Sequence, residues 1–276
     1  MTTALTMVYH DPAGRMLDQL TRTLPVIRSI FPDVIVLASP SANEHGLRLF
    51  EQAGAAVFSA RLEHSARSSP TPNGRWASGA GIGRLRRNTL ELAFQHSTAS
   101  HAIYCDADRV LHWAELYPAE FRSVSEAVRA FDFTVLGRTP RAFESHPRTQ
   151  RDTETIINRL FGQVSGFAWN EVTSGARGVS RAAAEVIVSN VADDELSTDI
   201  SWPLYLQHHG AWSIGYVEAE GLEFETADRF ADEISVIGYA AWFNRLENDP
   251  HEWAARFDLA RVEIEALLPY VEDSAR

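Results

Sequence analysis

The sequence has few of the features that mark a secreted, membrane-spanning or disulfide-bonded protein. Its 276 residues include one cysteine, Cys105, so no disulfide can form within the chain. The longest apolar runs, such as residues 34–38, are far shorter than the roughly 20 residues that a membrane helix needs. Residues 1–9 lack the basic region and long apolar stretch of a secretory signal. We therefore expect a cytoplasmic protein without a membrane span.

Basic residues are also in the minority. The chain has 37 acidic and 25 basic residues, for a net charge of −12, so a polyanion such as duplex nucleic acid would be repelled overall. We therefore expect no nucleic-acid partner. Apolar residues make up 45% and charged residues 22% of the chain, which is typical of a globular protein with a sizeable core.

Apolar runs alternate with stretches of helical spacing along the first hundred residues. Residues 4–9, 34–38 and 55–59 predict strands, and residues 15–30 and 41–53 predict the helices between them. This β-α-β-α-β order favours a parallel sheet with right-handed crossovers. Further predicted elements are strands at residues 102–105, 133–136 and 212–218 and helices at residues 84–95, 180–189 and 199–209.

The C-terminal part of the chain predicts a helix. Apolar residues recur with helical spacing at Trp253, Phe257, Ala260, Ile264 and Leu267. Such a stripe marks core packing more often than a partner interface. The sequence has no internal repeat and no clear linker. We therefore predict one α/β domain over residues 1–235 and a helical extension over residues 236–276 that packs on it.

Two carboxylates follow the strand predicted at residues 102–105. Asp106 and Asp108 flank Ala107, and in an open α/β sheet ligands gather at the carboxyl ends of strands. Two carboxylates in such a turn can hold a hard divalent cation that keeps open positions for phosphate oxygens. The triplet alone is a weak signal, and the alternative interpretation is a polar turn after a strand.

The segment before this strand reverses the charge of the chain. Residues 64–90 contain no acidic side chain, and residues 65–83 are rich in Ser, Pro and Gly, which predicts a long surface loop. The arginines of this segment are Arg67, Arg75, Arg84, Arg86 and Arg87. Arginine makes bidentate contacts with phosphate oxygens, and a helix N-terminus adds backbone donors. The alternative interpretation is a solvated surface loop.

Two blocks of the sequence carry motifs in an order that is known from one enzyme family. The first runs from Gly83 through the Arg87-Asn88 pair to the Asp-x-Asp at residues 106–108, with an amphipathic helix and an apolar strand between them. The second begins with a glycine-centred loop at residues 174–181, which precedes a helix.

The second block continues with an acidic and an aromatic residue at 198–202, followed by a glycine and a strand at 210–216. The ordered set resembles glycosyltransferases with a GT-A fold, especially the family 2-like group, over roughly residues 4–220. The resemblance implies an α/β fold of the nucleotide-diphospho-sugar transferase type, with a single Rossmann-like, mostly parallel sheet flanked by helices. It also implies transfer of a sugar, such as a hexose, from a UDP- or GDP-type donor.

The resemblance also implies roles for individual residues. Asp106 and Asp108 would bind Mn²⁺ or Mg²⁺. Asp199 would be the catalytic base, which favours an inverting over a retaining mechanism, and its alternative role is a helix N-cap. The nucleotide-sugar site would comprise His10, Ser39, Gly83, Arg84, Arg87, Asn88, Asp106, Ala107, Gly175 and Trp202. Trp202 could stack on a sugar or lie in the core.

The sequence departs from the family pattern at two places. Residues 38–40 read Ala-Ser-Pro where the family often has an acidic pair, and Thr198 stands in place of the first acid before Asp199. A retaining mechanism therefore stays open. Two other classes of protein also stay open, namely a non-catalytic relative that binds sugar nucleotides or glycans and a sugar-phosphate nucleotidyltransferase.

The acceptor is expected to bind at variable loops, which we place at residues 139–169. Basic residues in and beside this stretch are Arg138, Arg141, His146, Arg148 and Arg151. They would favour an anionic small molecule or glycan as acceptor, and the alternative interpretation is a solvated surface.

Overall fold

A seven-stranded sheet forms the centre of the protein. The computed structural model describes residues 2–60, 81–169 and 171–271. The strands are β1 Thr3–Tyr9, β2 Val34–Ala38, β3 Ala56–Ser59, β4 His101–Tyr104, β5 Phe133–Arg138, β6 Ala176–Ser180 and β7 Ile214–Ala219. They lie in the order β3-β2-β1-β4-β6-β5-β7. Within this described sheet, β6 runs antiparallel to both of its neighbours and all other pairs are parallel.

Helices cover both faces of the sheet. In chain order they are α1 Leu17–Ile30, α2 Glu44–Gln52, α3 Ile82–Gln95, α4 Ala107–Leu116, α5 Pro118–Ala127, α6 Pro140–Glu144, α7 Arg148–Ser165, α8 Arg181–Asn190, α9 Thr198–His208, α10 Ala231–Ile237, α11 Tyr239–Asn248, α12 Pro250–Glu265 and α13 Leu268–Val271. Leu5 and Met7 of β1 pack with α1 and α4, whereas Ala4 packs with α3 on the opposite face. Strands buried on both faces have continuous apolar runs, and the predicted α/β architecture is confirmed.

The strand order reverses at β1. This strand pairs with β2 on one side and with β4 on the other. Strands β2 and β3 therefore lie on one side of β1, and β4 to β7 lie on the other. In open α/β sheets a ligand crevice opens outside the carboxyl ends of the strands at such a point. His10 follows β1 and Asp106 lies just after β4, so both residues are at this edge.

Two stretches that the sequence predicts as loops contain regular structure. Residues 139–169 hold α6 and α7, and residues 174–181 contain β6. The buried face of α7 includes polar side chains such as Gln150, Thr153 and Asn158, which interrupt the apolar stripe that predicts a helix. β6 is fully buried, but its sequence, ARGVS, has no apolar run. Both expectations were wrong because burial here does not follow apolar character.

The C-terminal helices lie against α7 through α12. Helix α12 packs along α7 and also contacts α9. Ala260 of α12 and the following Leu267 are buried in the same cluster as Phe161 of α7, whereas Phe257 is exposed. Part of the predicted stripe therefore belongs to the core. No helix among the described residues is long and apolar enough to cross a bilayer.

Gly83, in the first turn of α3, lies close to the backbone of residues 193–195. A Cβ at Gly83 would overlap the carbonyl oxygen of Glu195. We expect Gly83→Ala to lower the free energy of unfolding by about 1–3 kcal/mol, because the contact is with backbone that cannot rotate away. Urea denaturation measures the change.

The matched control is Gly162→Ala in α7, where nothing lies within 4 Å of the added Cβ. We expect this substitution to be neutral or to stabilise the protein by about 0.5–1 kcal/mol, because alanine is the better helix former. Equal effects of the two substitutions would contradict the close approach at Gly83.

Candidate functional site

The edge of the sheet where β1 and β4 end opens into a cavity of about 870 Å³. Its lining comes from the residues after these strands, from α3, α7, α9 and α12, from Gly175 before β6, and from residues 225–229. The cavity occupies the crevice that the reversal of strand order predicts. Its volume lies in the range of small-molecule and cofactor sites, roughly 300–1,000 Å³.

The Asp-x-Asp pair lies at the N-terminus of α4. Asp106 occupies the N-cap position and Asp108 the first turn, where the helix dipole favours carboxylates. Both residues and the intervening Ala107 line the cavity. Asp106 accepts a hydrogen bond from the Tyr104 hydroxyl. One guanidinium lies beside each acid, with Nη2 of Arg86 3.5 Å from Asp106 and Nη1 of Arg229 3.3 Å from Asp108.

A buried carboxylate beside this pair joins three elements. Asp199, in the first turn of α9, is 4% exposed, and its Oδ1 accepts hydrogen bonds of 3.0 Å from both Arg86 and Arg177. Arg86 also donates to the Tyr104 hydroxyl. Burial alone would lower the pKa of Arg86, but Asp199, Tyr104 and Asp106 together outweigh burial, and the pKa is well above its ordinary value. Asp199 thus serves as counter-ion to two buried arginines, and it also lines the cavity.

His10 and Gly175 are two further predicted residues that line the cavity. Nδ1 of His10 lies 2.7 Å from Oγ of Ser39, so Ser39 orients the ring although it does not itself line the cavity. Gly175 has a φ of +75°, and a Cβ there would lie 3.3 Å from Nη2 of Arg86. The left-handed backbone and the close approach to Arg86 both favour glycine at this position.

Most of the residues predicted on α3 lie away from the cavity. Gly83, Arg84, Arg87 and Asn88 do not line it. The buried face of α3 instead presents Leu85, Arg86 and Thr89, and helix geometry directs the intervening side chains elsewhere. Arg87 pairs with Asp194. The helical spacing of Leu85, Arg86 and Thr89 is the signal that could have identified Arg86 as the inward arginine.

Trp202 lies in the core rather than at the cavity. It is 1% exposed, and its ring is edge-on to Tyr104 with the centroids 6.5 Å apart. Stacking on a sugar needs an exposed ring face, so the structure favours the core interpretation. Arg67 and Arg75 of the arginine-rich segment lie outside the described residues.

Several charged lining residues were not predicted from the sequence. Arg109 donates to the carbonyl oxygen of Ser174, and its Nε lies 3.5 Å from Oε1 of Glu225. Burial would lower the pKa of Arg109, but Glu225, Cys105 and Asp106 together outweigh burial and raise the pKa above its ordinary value. Within the described structure, Oε2 of Glu225 is buried without a hydrogen-bond partner. Arg109 and Glu225 are far apart in the sequence, so no local pattern links them.

The basic residues expected to receive an acceptor do not line the cavity. Arg138 pairs with Glu154 and Glu171, Arg141 with Glu220 and Glu223, Arg148 with Asp152, and Arg151 with Glu144. His146 is buried, and burial lowers its pKa well below the ordinary value. The residues that were predicted to favour an anionic acceptor therefore have partners within the protein.

Comparison with known proteins supports the fold. No family model and no curated protein matches the chain. Solved structures of glucosyl-3-phosphoglycerate synthase from Mycobacterium tuberculosis are similar. The complex with Mg²⁺ and UDP has a TM-score of 0.59 at 15% identity, over 98% of this chain and 79% of that one. The complex with Mn²⁺, UDP and phosphoglyceric acid has a TM-score of 0.57 at 14% identity, over 98% and 78%.

A third structure of the same enzyme, with Mn²⁺, UDP-glucose and phosphoglyceric acid, has a TM-score of 0.55 at 14% identity, over 98% of this chain and 80% of that one. At this level of identity the likeness establishes the fold alone. The GT-A fold that the sequence resemblance implied is confirmed.

Removal of the buried counter-ion tests the network around Asp199. Asp199→Ala would leave Arg86 and Arg177 buried without their shared carboxylate, and we expect a loss of about 3–5 kcal/mol in the free energy of unfolding. The control is Asp194→Ala, because Asp194 also pairs with an arginine but its side chain is 53% exposed. We expect about 0–1 kcal/mol for that pair. Urea denaturation measures both, and similar losses would contradict the assignment.

Proposed function

We propose that the protein is a metal-dependent glycosyltransferase that moves a sugar from a UDP-sugar to an acceptor hydroxyl. The observation that carries the proposal is the placement of Asp106 and Asp108, at a helix N-terminus, in the cavity where the strand order reverses. Structures of similar fold hold UDP with Mn²⁺ or Mg²⁺, which supports these ligands. UDP-glucose in one of them supports glucose as the first sugar to test.

The donor groups at the strand end fit a hard divalent cation. No cluster of three His, Cys, Asp or Glu side chains that could hold a metal is present among the described residues. Mg²⁺ typically takes one or two protein carboxylates and completes its shell with water and substrate phosphates. Asp106 and Asp108 would hold the ion. The bound ion would neutralise the charge that develops on the departing diphosphate.

Arginine supplies the protein's own positive charge at the site. The chain contains no lysine, so all 25 basic residues are arginines. Arg86 and Arg229 lie beside the two acids and line the cavity. Their planar guanidinium groups suit diphosphate oxygens, so we assign them to diphosphate binding together with the cation.

Asp199 has two possible roles in transfer. The sequence resemblance implies the role of base in an inverting reaction. The structure supports a positioning role, because Oδ1 accepts from Arg86 and Arg177 and so holds Arg86 at the cavity. The anomeric configuration of the product, determined by NMR, distinguishes an inverting from a retaining reaction.

Thermal unfolding tests the donor site. A ligand at about 100 times its Kd stabilises the native state by about 2.7 kcal/mol, or roughly 5–10 °C in Tm for a chain of this size. We expect a rise of this order with UDP and Mn²⁺ together and a smaller rise with UDP alone. Asp106→Asn and Asp108→Asn should remove the metal-dependent part.

The control for these variants is Asp152→Asn, at an exposed acid on α7 that does not line the cavity. Absence of any shift with UDP, with or without Mn²⁺, would contradict the proposed donor site. Release of UDP from UDP-glucose distinguishes an enzyme from a protein that only binds sugar nucleotides.

Asp199→Asn separates the two roles of this acid. If Asp199 positions Arg86, we expect the Kd for UDP to rise by about tenfold, the worth of a hydrogen bond to a charged group, along with slower transfer. If Asp199 is the base, transfer is lost and UDP binds normally. Calorimetric titration with UDP and Mn²⁺ measures the affinity, and Asp194→Asn is the control.

A further inference from the structure

Helix α12 closes one side of the cavity and brings a wall of polar side chains to it. It packs along α7, and lining residues from both helices, including Gln150, Glu154, Arg256 and Glu263, face the same space. We call the lining residues of these two helices the α7–α12 wall. The Asp-x-Asp pair comes from α4 instead, so the cavity has a side that the proposed donor contacts do not use.

Glu263 is the least compensated carboxylate of this wall. Its residue is 5% exposed and lines the cavity, and it has no hydrogen-bond or ion-pair partner among the residues that the structure describes. Burial raises the pKa of Glu263 well above its ordinary value. Asp199 and Glu154 raise it further, and Arg86 and Arg256 oppose them. A buried carboxyl group without a partner is costly, so this position favours a ligand that supplies a hydrogen-bonding group.

The charge of the wall indicates which ligands it accepts. Its acidic members are Glu154, Glu252, Asp258 and Glu263, and its basic members are His251 and Arg256. Arg256 donates to Oε1 of Gln150 at 2.6 Å and lies 3.7 Å from Oε1 of Glu154. The guanidinium group of Arg256 therefore already has partners within the protein. A carboxylate or phosphate on this side would meet the carboxylates of Glu252 and Asp258, and the one guanidinium of the wall already has protein partners.

We propose that the α7–α12 wall is the acceptor subsite, that Glu263 hydrogen-bonds an acceptor hydroxyl, and that the acceptor is an uncharged, hydroxyl-rich molecule. This inference rests on the proposed function, since it assigns the lining residues that the proposed donor contacts do not use. It differs from the phosphoglyceric acid that the similar structures hold. The hydroxyl groups of a polyol or sugar can donate to Glu263 and contact the neighbouring Gln150 and Thr153, which also line the wall.

Matched pairs of probes test the charge preference directly. Full-length protein saturated with UDP and Mn²⁺ is titrated with glycerol and glycerol 3-phosphate and with glucose and glucose 6-phosphate, and binding is followed by calorimetric titration. We expect each neutral probe to bind at least about tenfold more tightly than its phosphorylated partner. Tighter binding of the phosphorylated probes, or no binding of either neutral probe, would overturn the inference.

Variants of Glu263 test the residue itself. We expect Glu263→Ala to weaken binding of the neutral probe by roughly three- to tenfold, the worth of one hydrogen bond. Glu263→Gln keeps a side-chain oxygen acceptor and should retain most of the affinity, which also guards against a folding defect. Glu265→Gln is the control, because this exposed neighbour on α12 pairs with Arg261. Unchanged binding in Glu263→Ala would exclude the contact.

The same samples separate this inference from the proposed function. The shift in Tm with UDP and Mn²⁺ is measured before each titration. Failure of that shift contradicts the donor site and the glycosyltransferase proposal. A normal shift with a preference for anionic probes contradicts only the acceptor subsite.

Discussion

The charge balance at Asp199 is the constraint on which the rest of the site depends. One buried carboxylate neutralises the guanidinium groups of Arg86 and Arg177, and therefore ties α3 and β6 to the start of α9. A buried arginine without its counter-ion costs several kcal/mol, so these elements cannot separate without a large loss of stability. Through Arg86 the network reaches Tyr104 and Asp106. The position of Asp106 thus depends in part on α9, which lies far from it in the sequence.

The sheet could be predicted from the sequence because its central strands are buried on both faces. Val34–Ala38 is apolar at every position, and the predicted bounds agree with β2. The same reasoning missed β6, where Arg177 is buried in the middle of the sheet and pairs with Asp199. It also missed α7, whose buried face is partly polar. Apolar periodicity detects burial that the hydrophobic effect drives, and it does not detect burial that ion pairs and hydrogen bonds compensate.

The candidate site could be predicted where its residues follow strands. His10 and Asp106 are placed at the cavity by the topology of β1 and β4. On α3 the composition indicated arginines, but only the phase of the helix distinguishes Arg86 from Arg87, and the phase depends on which side packs against the sheet. Glu225 and the residues of α12 have no local signal at all, because their contact with the cavity arises from tertiary packing.

The two sides of the cavity depend on different parts of the structure. The Asp-x-Asp side follows from the strand order of a fold that proteins only 14–15% identical to this chain share. The α7–α12 wall follows from the packing of two helices, and Arg256 bridges them through Gln150 and Glu154. A change in that packing would alter the polar lining of the wall while leaving the strand ends in place. Because function depends on the site rather than on the fold, the acceptor can differ between proteins that share this fold, and the acceptor contact that we propose at Glu263 belongs to the α7–α12 wall.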